Sequence, residues 1–151
     1  MNQPDRHTLQ RLATLQTLAV QQEDTAARQL ADALAKHANA QDRYAELLEY
    51  EAEYAFRTPT AGGVMALSHH AGFLSKLRDA MRFQSDRVQG FAADVERLRG
   101  RWMGLHREVE KLEQLGCNAR QQIAVIDARK QSREIDELAQ RGWVRQQAVS
   151  G

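Results

Sequence analysis

The side chains able to carry chemistry in this chain are few. Of the five histidines, His69 and His70 are adjacent and His106 stands one helical turn before Glu110. Two ligands at that spacing are half of a zinc site, and no second pair stands at a matching position, so these residues read as surface groups and no metal is expected. The single Cys117 excludes an internal disulfide and fits a reducing compartment; beside Gly116 it reads as packing rather than as a nucleophile. Gly62-Gly63 follows no strand and lacks the Lys-Ser/Thr neighbours of a phosphate loop. Nothing here assembles a catalytic site. The expectation is a protein that is not an enzyme and takes no cofactor and no small-molecule substrate.

Nucleic acid is a stronger competitor, because Arg97, Arg99, Arg101, Arg107 and Lys111 dot one segment and Arg129, Lys130, Arg133, Arg141 and Arg145 another. Phosphate binding needs an unopposed basic stripe. Here Glu96, Glu108, Glu110, Glu113, Asp127, Glu134, Asp136 and Glu137 are interleaved, and the formal net charge is only +1. That is the pattern of an ion-paired helix surface, and no nucleic acid is expected.

The elements that carry these residues are helices. With 2 Pro and 9 Gly among 151 residues, and aromatic residues at 6%, the composition favours long helices around a thin core. From Leu74 the chain reads Leu77, Met81, Gln84, Val88, Phe91, Val95, Leu98, Trp102, Leu105, Val109, Leu112, Gly116, Ala119, Ile123 and Ile126, in steps of three and four. This 3.5-residue period is a heptad seam, which keeps one edge of a helix against a partner helix. A second seam runs from Leu9 through Leu12, Gln16, Ala19, Glu23, Ala26, Leu30, Ala33, His37, Ala40, Tyr44, Leu47 and Glu51 to Tyr54. Its alanines bring helices close but bury less apolar area per site.

Between the seams lies Thr58-Pro59-Thr60-Ala61-Gly62-Gly63, where proline removes an amide donor and the glycines ease a reversal. The fold class is therefore all-α: an antiparallel coiled-coil hairpin of two long helices, the second longer and overhanging. It is read as one domain over 1–151, with helix one over about 5–57, the turn over 58–68, helix two over about 69–141 and a disordered tail over 142–151. Ser68 is the expected cap of helix two. The same seams could instead pair between chains through a swap at the turn, so monomer and swapped dimer both stand. Beyond Ile126 the seam gives way to Lys130, Arg133 and Glu137, while Ile135, Leu138 and Trp143 describe another face. A helix with so little local burial borrows stability from another molecule, and this segment is a candidate docking element. Neither the N-terminus nor any internal window has the apolar length of a signal or a membrane span, and a soluble cytoplasmic protein is expected.

The hairpin tip concentrates aromatic residues: Leu47, Tyr50 and Tyr54 precede the turn, and Phe73, Leu77 and Ala80 follow it. Tyr50 falls off the seam, flanked by Glu49, Glu51 and Glu53. Such a strip either caps the narrow core or forms a binding patch, since tyrosine anchors interfaces at low entropic cost.

Taken together, Leu47-Leu48-Glu49-Tyr50-Glu51-Ala52-Glu53-Tyr54 before the turn, Phe73-Leu74-x-x-Leu77-x-x-Ala80 after it, Trp102, Arg129-Lys130-Gln131 and Asp136-Glu137-Leu138-Ala139-x-Arg141 resemble the FliJ family of flagellar export proteins over nearly the full length. The family has relatives in injectisome secretion. The resemblance implies a hairpin similar to the stalk of rotary ATPases. It further implies a motility protein at the inner-membrane base of the flagellum that binds the export ATPase ring, contacts the cytoplasmic domain of the export gate and escorts substrate chaperones. Gate-binding positions would fall on Leu47, Tyr50, Tyr54, Phe73, Leu77 and Ala80, with Gln84 at a further matching position. The ATPase contact would fall on the end that carries the tail, around Arg129, Lys130, Arg133, Asp136, Glu137 and Arg141. A generic structural coiled coil is the alternative.

Overall fold

The structure, a computed structural model, describes residues 5–150, and these form two helices. Helix α1 spans Arg6–Phe56 and α2 spans Gly63–Ser150. They pack together as an antiparallel hairpin: higher-numbered residues of α1 meet lower-numbered residues of α2, as in Tyr54 with His70 and Ala40 with Gln84. By local packing the described residues divide into two compact units, Gln22–Leu105 and residues 5–21 with 106–150.

Asp5 starts α1. Its carboxylate accepts from the Thr8 amide and the Thr8 hydroxyl, both at 2.7 Å, and Leu9 N–H donates to its carbonyl at 3.1 Å. These bonds satisfy donors that the first turn cannot pair internally. The Thr8 hydroxyl and amide hold the Asp5 carboxyl below its ordinary 3.8. A depressed carboxyl stabilises the fold above its unfolded pKa and loses that contribution as pH falls through the folded value. Asp5→Ala should therefore reduce the helical carbon chemical shifts of residues 6–9 at neutral pH. The two proteins should converge once acid has protonated Asp5 in the parent.

At its other end α1 closes with Arg57 N–H on the carbonyls of Glu53 and Tyr54, at 3.2 and 3.3 Å. Reversal is completed by Gly62 and Gly63, at φ 98° and 63°. Only glycine fits at Gly62, where a Cβ would come within 2.8 Å of the Ala66 Cβ. The turn is thus shorter than the 58–68 expected. No breaker follows Gly63, so α2 starts there, and Ser68, His69 and His70 lie inside it rather than at its cap.

In the unit of residues 22–105, the core is a thin line. Ala26, Ala33 and Ala40 are buried on α1, and Leu77, Gln84 and Val95 on α2. Alanines seven residues apart allow close approach of the backbones, and Ala26 is only 1% exposed. Gln84 is the one polar member of this core, and its side-chain amide donates to the Ala40 carbonyl at 3.1 Å. In the unit formed by residues 5–21 and 106–150, the buried residues are Ala19 on α1 and Val109, Gly116 and Ala119 on α2. Seam residues of α2 stay partly covered as far as Ile126, and every described residue after it is exposed.

The helix nevertheless continues through Gly142 to Ser150, where the sequence suggests an end at Gly142 and disorder beyond. Glycine stops a helix by turning left-handed, and Gly142 is not among the positive-φ glycines. At helical φ it weakens the helix by about 1 kcal/mol relative to Ala without ending it. Gly151 lies outside the described residues.

Candidate functional site

The aromatic residues of the tip form one connected group. Tyr54 stacks on His70, with ring centroids 4.7 Å apart and planes 14° from parallel. Its ring also meets Phe73 at 4.5 Å, and Phe73 in turn meets Tyr50 at 6.5 Å, both tilted. Contacts of this kind add about 0.5–1.5 kcal/mol beyond area burial, and here they join the two helices at the tip. An ion pair lies nearby, with Arg78 Nη2 3.3 Å from Glu51 Oε1.

The named tip residues divide by exposure. Leu77 and Gln84 are buried in the seam, and Leu47 and Tyr54 are half-buried. Tyr50, at 54% exposure, Phe73, at 41%, and Ala80 face solvent. The last three are therefore open to direct contact, and of the others Tyr54 packs its ring against Phe73. Phe56, Val64 and Met65, which the sequence does not single out, are strongly exposed at the turn. Their signal was present as apolar letters around Pro59 and the glycines, but off both seams.

The tail residues are arranged differently. Arg129, Lys130, Arg133, Asp136, Glu137 and Arg141 are all exposed on α2. Arg129, Arg133, Glu137, Arg141 and Arg145 recur every fourth residue and so form one row along the helix. Glu137, Arg141 and Arg145 border a shallow groove with Gln140 and Val144. Ile135, Leu138 and Trp143 leave 65%, 65% and 60% of their surface in water. This segment combines cations with exposed apolar groups and has no core of its own.

The other candidates engage each other. His106 Nε2 lies 3.2 Å from Glu110 Oε1, and among the described residues no three potential metal ligands cluster. Basic side chains on the helix surfaces meet neighbouring carboxylates, as in Arg97 with Asp94, Arg99 with Glu96 and Arg82 with Asp79. Cys117 is half-buried beside Gly116. Among the described residues, no helix is long and apolar enough to cross a membrane.

No curated protein and no solved structure matches the chain. The family model described as flagellar FliJ protein matches residues 8–148, which takes in α1 from its first turn, the tip with its aromatic pad, and the tail. With that span covered, the chain belongs to the FliJ family, and it is a component of the flagellar protein export apparatus.

Proposed function

We propose that this protein is a cytoplasmic, non-catalytic adaptor that links the export ATPase ring to the export gate and escorts substrate chaperones at the inner-membrane base of the flagellum. The observation that supports it most is the solvent-facing pad of Tyr50 and Phe73, whose rings meet across the two helices at the tip. Aromatic side chains held in place by packing bind with little further loss of entropy. The gate's cytoplasmic domain is the partner assigned to the pad, with Tyr50, Phe73 and Ala80 in contact and Leu47, Tyr54, Leu77 and Gln84 holding them in position. The ATPase is assigned to the tail. There the row of Arg129, Arg133 and Arg141 around Glu137, with Lys130 and Asp136 beside it, offers charge, and Ile135 and Leu138 offer apolar area.

In this mechanism the tail helix seats in the ATPase ring and favours its assembled state, coupling hydrolysis to engagement of the gate at the tip. A pull-down of the purified chain against the ATPase and the gate domain tests the assignment. Removing residues 127–151 is expected to abolish retention of the ATPase while leaving the gate domain bound. Retention of both partners by the shortened chain would move the ATPase contact elsewhere. Stable self-association with neither partner bound would return the generic coiled coil.

A further inference from the structure

The face that carries the pad extends beyond it in a regular way. Lys36, Arg43 and Tyr50 are spaced by seven on α1, and Phe73, Ala80 and Arg87 are spaced by seven on α2. Seven-residue spacing keeps each set on one side of its helix, and the Tyr50–Phe73 contact shows that the two sides adjoin. Further along, a groove of about 160 Å³ is lined by Lys36, Asn39, Arg43, Gln84, Arg87 and Phe91, with no carboxylate in its wall. Lys36 is paired with Asp32 at 3.1 Å in an exposed i,i+4 bridge, and Arg87 lies over the Phe91 ring at 5.7 Å. Neither Arg43 nor Arg87 has an ion pair with a carboxylate among the described residues. Two guanidinium groups from different helices thus line one groove without an anion between them, a like-charge arrangement that an acidic ligand would relieve.

We infer that this face receives an acidic segment of the partner protein, with an apolar anchor against Tyr50 and Phe73 and carboxylates on Arg43 and Arg87. The inference rests on the assignment of the gate to the tip and adds the chemistry of the segment that docks there. Phe73 and Arg87 are separated by roughly 21 Å along α2, a distance that about six extended residues span. Ala80 lies between them, exposed and small, and leaves the path open. Arginine binds carboxylates through two parallel hydrogen bonds, which gives such a segment a register as well as affinity. An RNA strand fits less well, because three cations give few phosphate contacts and the tip rings are tilted against each other rather than free to stack on bases.

The test is the affinity of the full chain for the gate's cytoplasmic domain across a salt series. Arg43→Glu/Arg87→Glu is compared with Tyr50→Ala and with Arg97→Glu/Arg101→Glu, the same charge change elsewhere on α2. Both arginines of the groove are surface groups, so the melting temperature should not move. At least tenfold weaker binding and a flatter salt dependence are expected for Arg43→Glu/Arg87→Glu, with less than twofold change in the control pair. If Tyr50→Ala weakens binding while Arg43→Glu/Arg87→Glu does not, the acidic segment is excluded and the gate assignment stands. If neither weakens it, the gate assignment fails and the inference falls with it. Sedimentation showing a dimer that Arg43→Glu/Arg87→Glu dissociates would replace the partner with a second copy of the chain. Binding of a single-stranded RNA 20-mer, lost in the same variant without loss of the gate domain, would replace it with nucleic acid.

Discussion

Gln84→Glu is expected to destabilise the hairpin by about 3 kcal/mol at neutral pH, because it places a carboxylate in a buried seam opposite a carbonyl oxygen. Gln84 is 7% exposed, and its amide donates to the Ala40 carbonyl on the other helix. Glutamate has no proton to donate there once ionised. Burial would raise the folded pKa of the introduced carboxyl above the usual value for Glu of about 4.3. The destabilisation should therefore grow as pH rises above the unfolded value and fade as pH falls below it. Gln84→Leu should behave differently. Ala40 lies inside α1, where its carbonyl also serves the helix's own hydrogen bonding, so loss of the Gln84 amide leaves no orphaned acceptor. A melt within about 1 kcal/mol of the parent is expected for leucine. What leucine removes is register: a single buried polar group in a coiled-coil seam specifies alignment more than it stabilises. Chemical denaturation of the two variants at several pH values checks both expectations.

Tyr50→Ala/Phe73→Ala is expected to weaken binding to the gate domain by roughly 30-fold or more, the loss typical of an interface hot spot worth about 2 kcal/mol. Both side chains are substantially exposed, Tyr50 at 54% and Phe73 at 41%, so each keeps about half of its surface open to a partner. The fold should survive, since Leu77 and Gln84 remain buried in the seam and the Arg78–Glu51 pair is untouched. Tyr54 loses one of its ring contacts but keeps its stacking on His70. Calorimetry against the gate domain, with a thermal melt of each protein, separates lost binding from lost structure. An affinity unchanged by the double substitution would exclude the pad from the interface.

The seams were legible because heptad periodicity states directly which edge of a helix is covered. Each seam position from Leu9 to Tyr54 and from Leu74 to Ile126 is buried or half-buried. Gln84 shows where that legibility stops. As a letter it only interrupts an apolar run, and its bond to the Ala40 carbonyl depends on the alignment of the two helices, which periodicity leaves free by whole heptads. The helix ends were harder to read for a related reason. A serine resembles a cap and a glycine resembles a stop, but capping depends on φ. Gly62 and Gly63 turn left-handed and end the reversal early, whereas Gly142 does not and the helix runs on. At the tip, composition pointed to the aromatic cluster, while the separation of exposed Tyr50 from half-buried Tyr54 follows from seam position. The basic groove of Arg43 and Arg87 was hidden, because its members lie far apart in sequence and meet only across the hairpin.

The adaptor reading requires that the ATPase and the gate domain be held by one chain at the same time. Mass photometry of the two partners with and without the full-length protein tests this most directly. A particle containing ATPase, gate domain and this chain is expected, formed only when the chain is added and lost with either Tyr50→Ala/Phe73→Ala or removal of residues 127–151. Mutually exclusive binding, in which the gate domain displaces the chain from the ATPase, would contradict it.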